Sequence, residues 1–147
     1  MLPDPLEEIK EEWLPLRIIH FSLMAGILIF LAAFFFLNPD GLRLAYPVDS
    51  VPFLIMNLCV ALIPLLVPPI VKRKLYDPEK RKAENRVRER FYAYRNYKII
   101  QWALLEGPAL LGIVSSMVLN NAVFLLFTLF HLAFLIAAKP SETEFLK

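Results

Sequence analysis

The chain has 147 residues, 58% of them hydrophobic, 13% aromatic and 20% charged, with a mean hydropathy of +0.54 and a formal net charge of +2. Soluble domains carry about 45–50% apolar residues, so this composition points to a membrane protein and excludes a disordered chain. A single cysteine, Cys59, excludes an internal disulfide framework and a Cys-cluster zinc site, and neither a GxGxxG nor a GxxxxGKS/T phosphate loop occurs.

Residues 1–16 read as an acidic amphipathic helix. Asp4 offers an N-cap, Pro5 suits the first helical position, and Glu7 and Glu8 complement the helix dipole. Leu6, Ile9 and Trp13 form an i, i+3, i+7 stripe, and Pro15 is expected to end this helix. The acidic start lacks the basic region of a signal peptide, so the next run is read as a retained helix.

Four apolar runs follow: Ile18–Leu37, Val51–Val71, Ile99–Leu119 and Ala122–Ala138. About 20 apolar residues are needed to span a hydrocarbon core of about 30 Å, and only the fourth run is at the short end. None alternates apolar and polar residues as a barrel strand would. The fold class expected is all-α, an integral membrane four-helix bundle of two tandem helical hairpins. Its parts are residues 17–71 and 99–138 as the hairpins, 72–98 as a basic helical loop, and 139–147 as a tail. Pro64, Pro68 and Pro69 are expected to kink and then end the second span.

Charge is segregated along the chain. Lys72 to Lys98 holds eleven Lys/Arg against four Asp/Glu, or +7, while the remainder holds five against ten, or −5. The positive-inside rule places this loop and both termini in the cytoplasm, with 38–50 and the tight Asn120–Asn121 turn outside. Asp77-Pro78-Glu79 starts a second helix whose Ala83, Val87, Phe91 and Tyr94 form an apolar stripe. Either it continues into the third span as one long helix, or it bends near Asn96 and lies on the membrane surface. Arg86, Arg88, Arg90, Arg95, Lys98 and Trp13 are candidate contacts to anionic lipid headgroups or a partner. A sharper alternative docks Leu6, Ile9 and Trp13 on Val87, Phe91 and Tyr94. Phe91, Tyr92, Tyr94, Tyr97 and Trp102 read as an interfacial aromatic belt, and no nucleic-acid module is present.

Arg17–Gly26 matches Lys98–Gly107 at an offset of 81: base, Ile-Ile, polar, aromatic, small, Leu, apolar, Gly. This suggests a parallel duplication, with Gly26 and Gly107 as sites of close helix approach. Asn57, Ser115 and Ser116 are candidate interhelical hydrogen-bonding residues.

Glu106 is the residue of greatest chemical interest. Eight residues beyond Lys98, it lies about 12 Å along the helix, near mid-bilayer. An ionised group there costs roughly 2.5–3.5 kcal/mol, so Glu106 should be protonated, paired or hydrated. Pro108 cannot donate to the Leu104 carbonyl, so a kink with a free carbonyl is expected beside Gly107. Three readings stay open: a protonated carboxyl bonded to a neighbouring helix, a proton or cation site, and a lipid or quinone headgroup contact. His131 lies at similar depth and could pair with Glu106; His20 and His131 also admit a bis-His haem reading. Ser141-Glu142-Thr143-Glu144 has capping-box spacing, but too few residues follow it for a helix, leaving a short tail or a docking stub.

The stretch Trp102 to Ser116, WALLEGPALLGIVSS, resembles the carboxylate helix of the rotary ATP synthase proteolipids. That resemblance covers about fifteen residues and implies that Glu106 is an ion-binding carboxylate. The first span lacks the Gly-rich packing of those proteins, and Ala25 stands where the repeat would place a second carboxylate. Four spans, ALLEG in the third and Lys139-Pro140-Ser141 after the fourth resemble a group of small bacterial membrane proteins of the Bacteroidota type. This second resemblance covers most of the chain, implies a bacterial inner membrane location, and assigns no activity. No nucleophile–base pair, metal-ligand cluster or paired carboxylate occurs, so the expectation is a non-catalytic accessory subunit without a cofactor. Its partners would be the bilayer and other subunits of a larger, for example bioenergetic, complex, or further copies of itself. Proton or cation handling by Glu106 and a quinone- or haem-binding anchor are the alternatives.

Overall fold

The computed structural model describes residues 9–38, 50–75 and 87–146. These residues form an all-helical fold: α1 (Lys10–Leu37), α2 (Val51–Leu75), α3 (Val87–Leu119), a 3-10 turn (Ala122–Phe124), α4 (Leu125–Ala137) and a short α5 (Glu142–Leu146). Helices α1, α2 and α3 are each long and apolar enough to cross a membrane. The 3-10 turn and α4 together rise about 26 Å, slightly short of a hydrocarbon core.

Helix α3 is the central post, packing against α1, α2 and α4. Within the chain, 44% of its apolar stretch is buried, against 17% for α1 and 22% for α2. The outer faces of α1 and α2 are therefore apolar and uncovered, with Phe21, Ile29, Phe36 and Leu66 all more than half exposed. In water such faces would drive aggregation; in lipid they are the ordinary outside of a bundle.

Two local expectations give way to packing. Pro15 does not end the first helix, which runs unbroken from Lys10 to Leu37 and joins residues 10–16 to the first span. The carbonyl that loses its donor is that of Glu11, on an exposed first turn where water or headgroups can replace the bond. Burial of Ile9, Trp13 and Leu16 holds that turn in place. Likewise Pro64, Pro68 and Pro69 do not end α2, which continues to Leu75. Asn57, Ala61, Pro64 and Pro68 make one buried stripe, so two prolines sit on the packed inner face. Proline there leaves a carbonyl short of a donor but strands no N–H in lipid, the harder group to leave unpaired. Helix α3 shows no break at Asn96 or Pro108: the continuous alternative holds over Val87–Leu119. The Asp4 and Asp77 helix starts, Leu6 and Arg86 lie outside the described residues.

The turn between α3 and α4 is built by its two asparagines. Asn120 takes a left-handed conformation (φ 48°), which Asn tolerates better than other non-glycine residues. Asn121 accepts from the Val123 amide at 3.1 Å, and its own N–H returns to the Ser116 carbonyl at 3.1 Å. Close approach of α3 and α4 falls at Gly112, not at Gly26 or Gly107. A Cβ at 112 would lie 2.5 Å from Thr128 Oγ1 and 2.8 Å from the Phe124 carbonyl, while nothing lies within 4 Å of one at 26 or 107. Thr128 also donates to the Ala109 carbonyl at 2.8 Å, and Asn57 donates to Ser115 at 2.8 Å, tying α2 to α3.

Candidate functional site

Two regions concentrate polar side chains. The first is the end of the bundle where α1 begins and α4 ends. Helix α4 leaves its last carbonyls without intrahelical donors, and neighbours supply them. His20 Nε2 donates to the Leu135 carbonyl at 2.8 Å, and Trp102 Nε1 donates to the Ala138 carbonyl at 2.9 Å. Lys98 lies one turn before Trp102 on α3 and reaches the same carbonyl at 3.5 Å, adding a cation at the negative end of the helix dipole.

Lys98 is 3% exposed, which requires an anionic partner. Glu144 of α5 supplies it at 2.6 Å and also meets Lys72 of α2 at 3.6 Å. Beside this ion pair, Phe145 is buried in an aromatic cup, with ring centroids 6.1 Å from Trp13, 5.8 Å from Phe91 and 5.7 Å from Tyr94. Trp13 meets Phe91 edge-on at 5.1 Å, so the expected docking of the first helix on the basic helix holds for Ile9, Trp13, Phe91 and Tyr94. Arg17 meets Glu142 at 2.8 Å.

Several expectations need correcting on this geometry. Phe91, Tyr94, Tyr97 and Trp102 are core residues, not an interfacial belt; of the five aromatics only Tyr92 is exposed. Trp13 and Lys98 are buried and face their own chain, so neither is a lipid contact. Arg88 stays exposed, 4.0 Å from Glu12, and Arg95 lies over the Tyr92 ring at 4.9 Å. Arg90 lies over Phe145 at 5.4 Å. The tail does form a helix, one turn long, and is the docking stub. Its capping-box spacing and its acid-plus-Phe pattern opposite a basic, aromatic helix were the signals for this docking.

The second region lies within the apolar stretch of α3. Glu106 is half-buried, at the edge of the exposed α3 stripe that runs through Ile100, Ala103, Gly107 and Val114. It makes no hydrogen bond or ion pair with any described residue. His131 does not pair with it. That ring is fully buried, with Nδ1 2.7 Å from the Phe127 carbonyl and Nε2 3.4 Å from the Ala61 carbonyl on α2. Carbonyls only accept, so a ring nitrogen that carries a proton donates to the carbonyl it faces. A recess of about 180 Å³ is bordered by Val60, Ile63, Ala103, Leu104, Gly107 and Pro108, and Glu106 does not border it. Pro64 and Pro108 remove the donors for the Val60 and Leu104 carbonyls, and both residues border this recess. The two histidines are engaged separately: His20 with the Leu135 carbonyl and, ring against ring at 4.7 Å, with Trp102; His131 with the Phe127 and Ala61 carbonyls. No group of three or more metal-ligating side chains occurs among the described residues.

No protein-family model matches the chain, and neither curated proteins nor solved structures give a significant match.

Proposed function

We propose that this protein is a non-catalytic, multi-pass subunit of a bacterial inner-membrane assembly, with the basic segment and both ends of the chain in the cytoplasm. The assembly is either a larger complex or an oligomer of this chain. The observation that carries the reading is Glu106. It is a carboxyl at mid-span depth, on an outward-tending face of α3, without a hydrogen-bond partner among the described residues. Left in lipid, such a group is costly in either protonation state, and a polar side chain of a second helix relieves that cost. An apolar groove elsewhere on the bundle supports the same reading. Leu54, Leu58, Leu62, Val123, Leu126 and Phe130 border a recess of about 470 Å³ between α2 and α4 that a ridge of another helix could fill.

Blue-native electrophoresis after gentle solubilisation tests this proposal. Wild type should migrate as a discrete assembly larger than one 17.0 kDa chain, and Glu106→Leu should shift it toward the monomer. Glu106→Gln, which keeps a hydrogen-bonding group, should retain most of it. A monodisperse monomer for wild type would sink the proposal.

The same unpartnered carboxyl favours one second reading, proton or cation handling, for which a hydrogen bond alone does not suffice. In that case Glu106→Gln abolishes reaction with a carbodiimide and any associated flux while leaving the assembly intact. Unchanged flux in that variant removes this reading.

A further inference from the structure

We propose that the recess between the start of α1 and the segment after α4 binds the phosphate headgroup of an anionic glycerophospholipid. The recess is about 570 Å³, and neither Arg88 nor Arg95 of the basic helix borders it. Two bases border it: Arg17, just before the first apolar run, and Lys139, just after the fourth.

Their depth is fixed by one bond. His20 donates to the Leu135 carbonyl at 2.8 Å; Arg17 precedes His20 by three residues and Lys139 follows Leu135 by four. Both bases therefore stand at the level just beyond that bond, Arg17 about one helical turn before His20 and Lys139 two residues past the end of α4, where apolar helix gives way to polar chain. That level is the headgroup layer of the leaflet at this end of the bundle.

The donors on the rim suit a phosphate. Arg17 uses one nitrogen, Nη2, on Glu142 and has further N–H groups to offer. Lys139 is exposed and makes no hydrogen bond or ion pair with any described residue. The Ser141 and Thr143 hydroxyls lie 2.6 Å apart, so one donates to the other and a second O–H remains for an oxygen outside the pair. Two bases against the Glu142 carboxylate leave the rim at +1, the complement of a lipid phosphodiester. Below the rim the wall turns apolar, with Met24 and with Phe21 at 68% exposure. A free phosphate gains nothing from that wall, whereas the upper acyl chain of a lipid does.

The test uses the full-length chain in mild detergent. Native mass spectrometry measures retention of phosphatidylglycerol against phosphatidylcholine supplied at equal concentration. One phosphatidylglycerol per chain should be retained in preference. Lys139→Gln and Arg17→Gln should each lower retention about fivefold, the value of one base near an anionic headgroup. Glu142→Gln should raise it, because the competing carboxylate is gone. Lys139→Gln disturbs no described contact, so a loss there is not a folding effect. Arg88→Gln with Arg95→Gln should leave retention unchanged. Equal retention of the two lipids overturns the proposal. So does a loss in the Arg88/Arg95 variant as large as in the recess variants, or a loss on Glu142→Gln. Displacement of the lipid by millimolar inorganic phosphate makes this a free-anion site and overturns the lipid assignment.

Discussion

A single buried ammonium organises one end of this molecule. Lys98 has its charge met by Glu144, its length packed beside Tyr94 and Tyr97, and its donors shared with Gln101 and Ala138. Truncating one partner of such a pair strands the other, and breaking a fully buried pair costs about 3–5 kcal/mol. The Glu144 side chain is 30% exposed and Lys98 keeps its carbonyl contact, so a smaller loss follows. Glu144→Gln should destabilise the fold by about 2 kcal/mol, lowering the thermal midpoint in detergent by several degrees. Phe145 carries the apolar half of the same docking. Phe145→Ala should cost about 3 kcal/mol and open the Trp13 ring to solvent. Intrinsic fluorescence checks this: the chain has two tryptophans, and its emission should shift to the red. An unmoved spectrum would mean that α5 does not close the Trp13 cup. At this scale the sequence was only partly legible. Glu106 and the Trp13–Phe91 stripe could be read from it, because depth and period are local properties. The burial of Lys98 could not, because it depends on an acid 46 residues away in a segment too short to signal a helix by its own period.

Among the helices, propensity lost to packing. Pro15, Pro68 and Pro69 argue for a helix end and Pro64 and Pro108 for a kink, and each lies inside a continuous helix. A helix in lipid has no competing water to unwind into, so a missing bond is tolerated where a break would expose several more. The existence, order and approximate length of the four apolar helices could be read from the sequence, since apolar run length is a strong signal; the ends could not. Glycine roles were also hidden, because close approach depends on which helix face meets which neighbour. The contrast between Gly112 and Gly107 turns this into a prediction. Gly112→Ala drives a Cβ into the Phe124 and Thr128 backbone and should cost about 1–3 kcal/mol. Gly107→Ala meets nothing within 4 Å and should leave stability unchanged or raise it by up to about 1 kcal/mol through helix propensity. Thermal melts of the two variants in one detergent compare them directly. Equal losses would contradict the packing described for α3 and α4.

For the whole molecule, the proposed function makes the basic segment the determinant of orientation and the bare faces the reason for a partner. In a Cys59→Ser background, Asn85→Cys should be protected from a membrane-impermeant maleimide in intact cells, and Asp49→Cys should be labelled. The reverse pattern would invert the topology. The docking of Trp13 and Phe145 on Phe91 already puts the first described turn, the basic helix and the end of the chain at one end of the bundle. What remains unfilled is the Glu106 face of α3 and the groove between α2 and α4. The most direct measurement is photo-crosslinking in native membranes from a benzophenone amino acid at position 107, one residue from Glu106 and open on its outer side. A discrete protein adduct, lost in Glu106→Leu and kept in Glu106→Gln, is the result expected of a subunit docked through this face. A label that finds only lipid, on a chain that runs as a single species of 17.0 kDa, would contradict it.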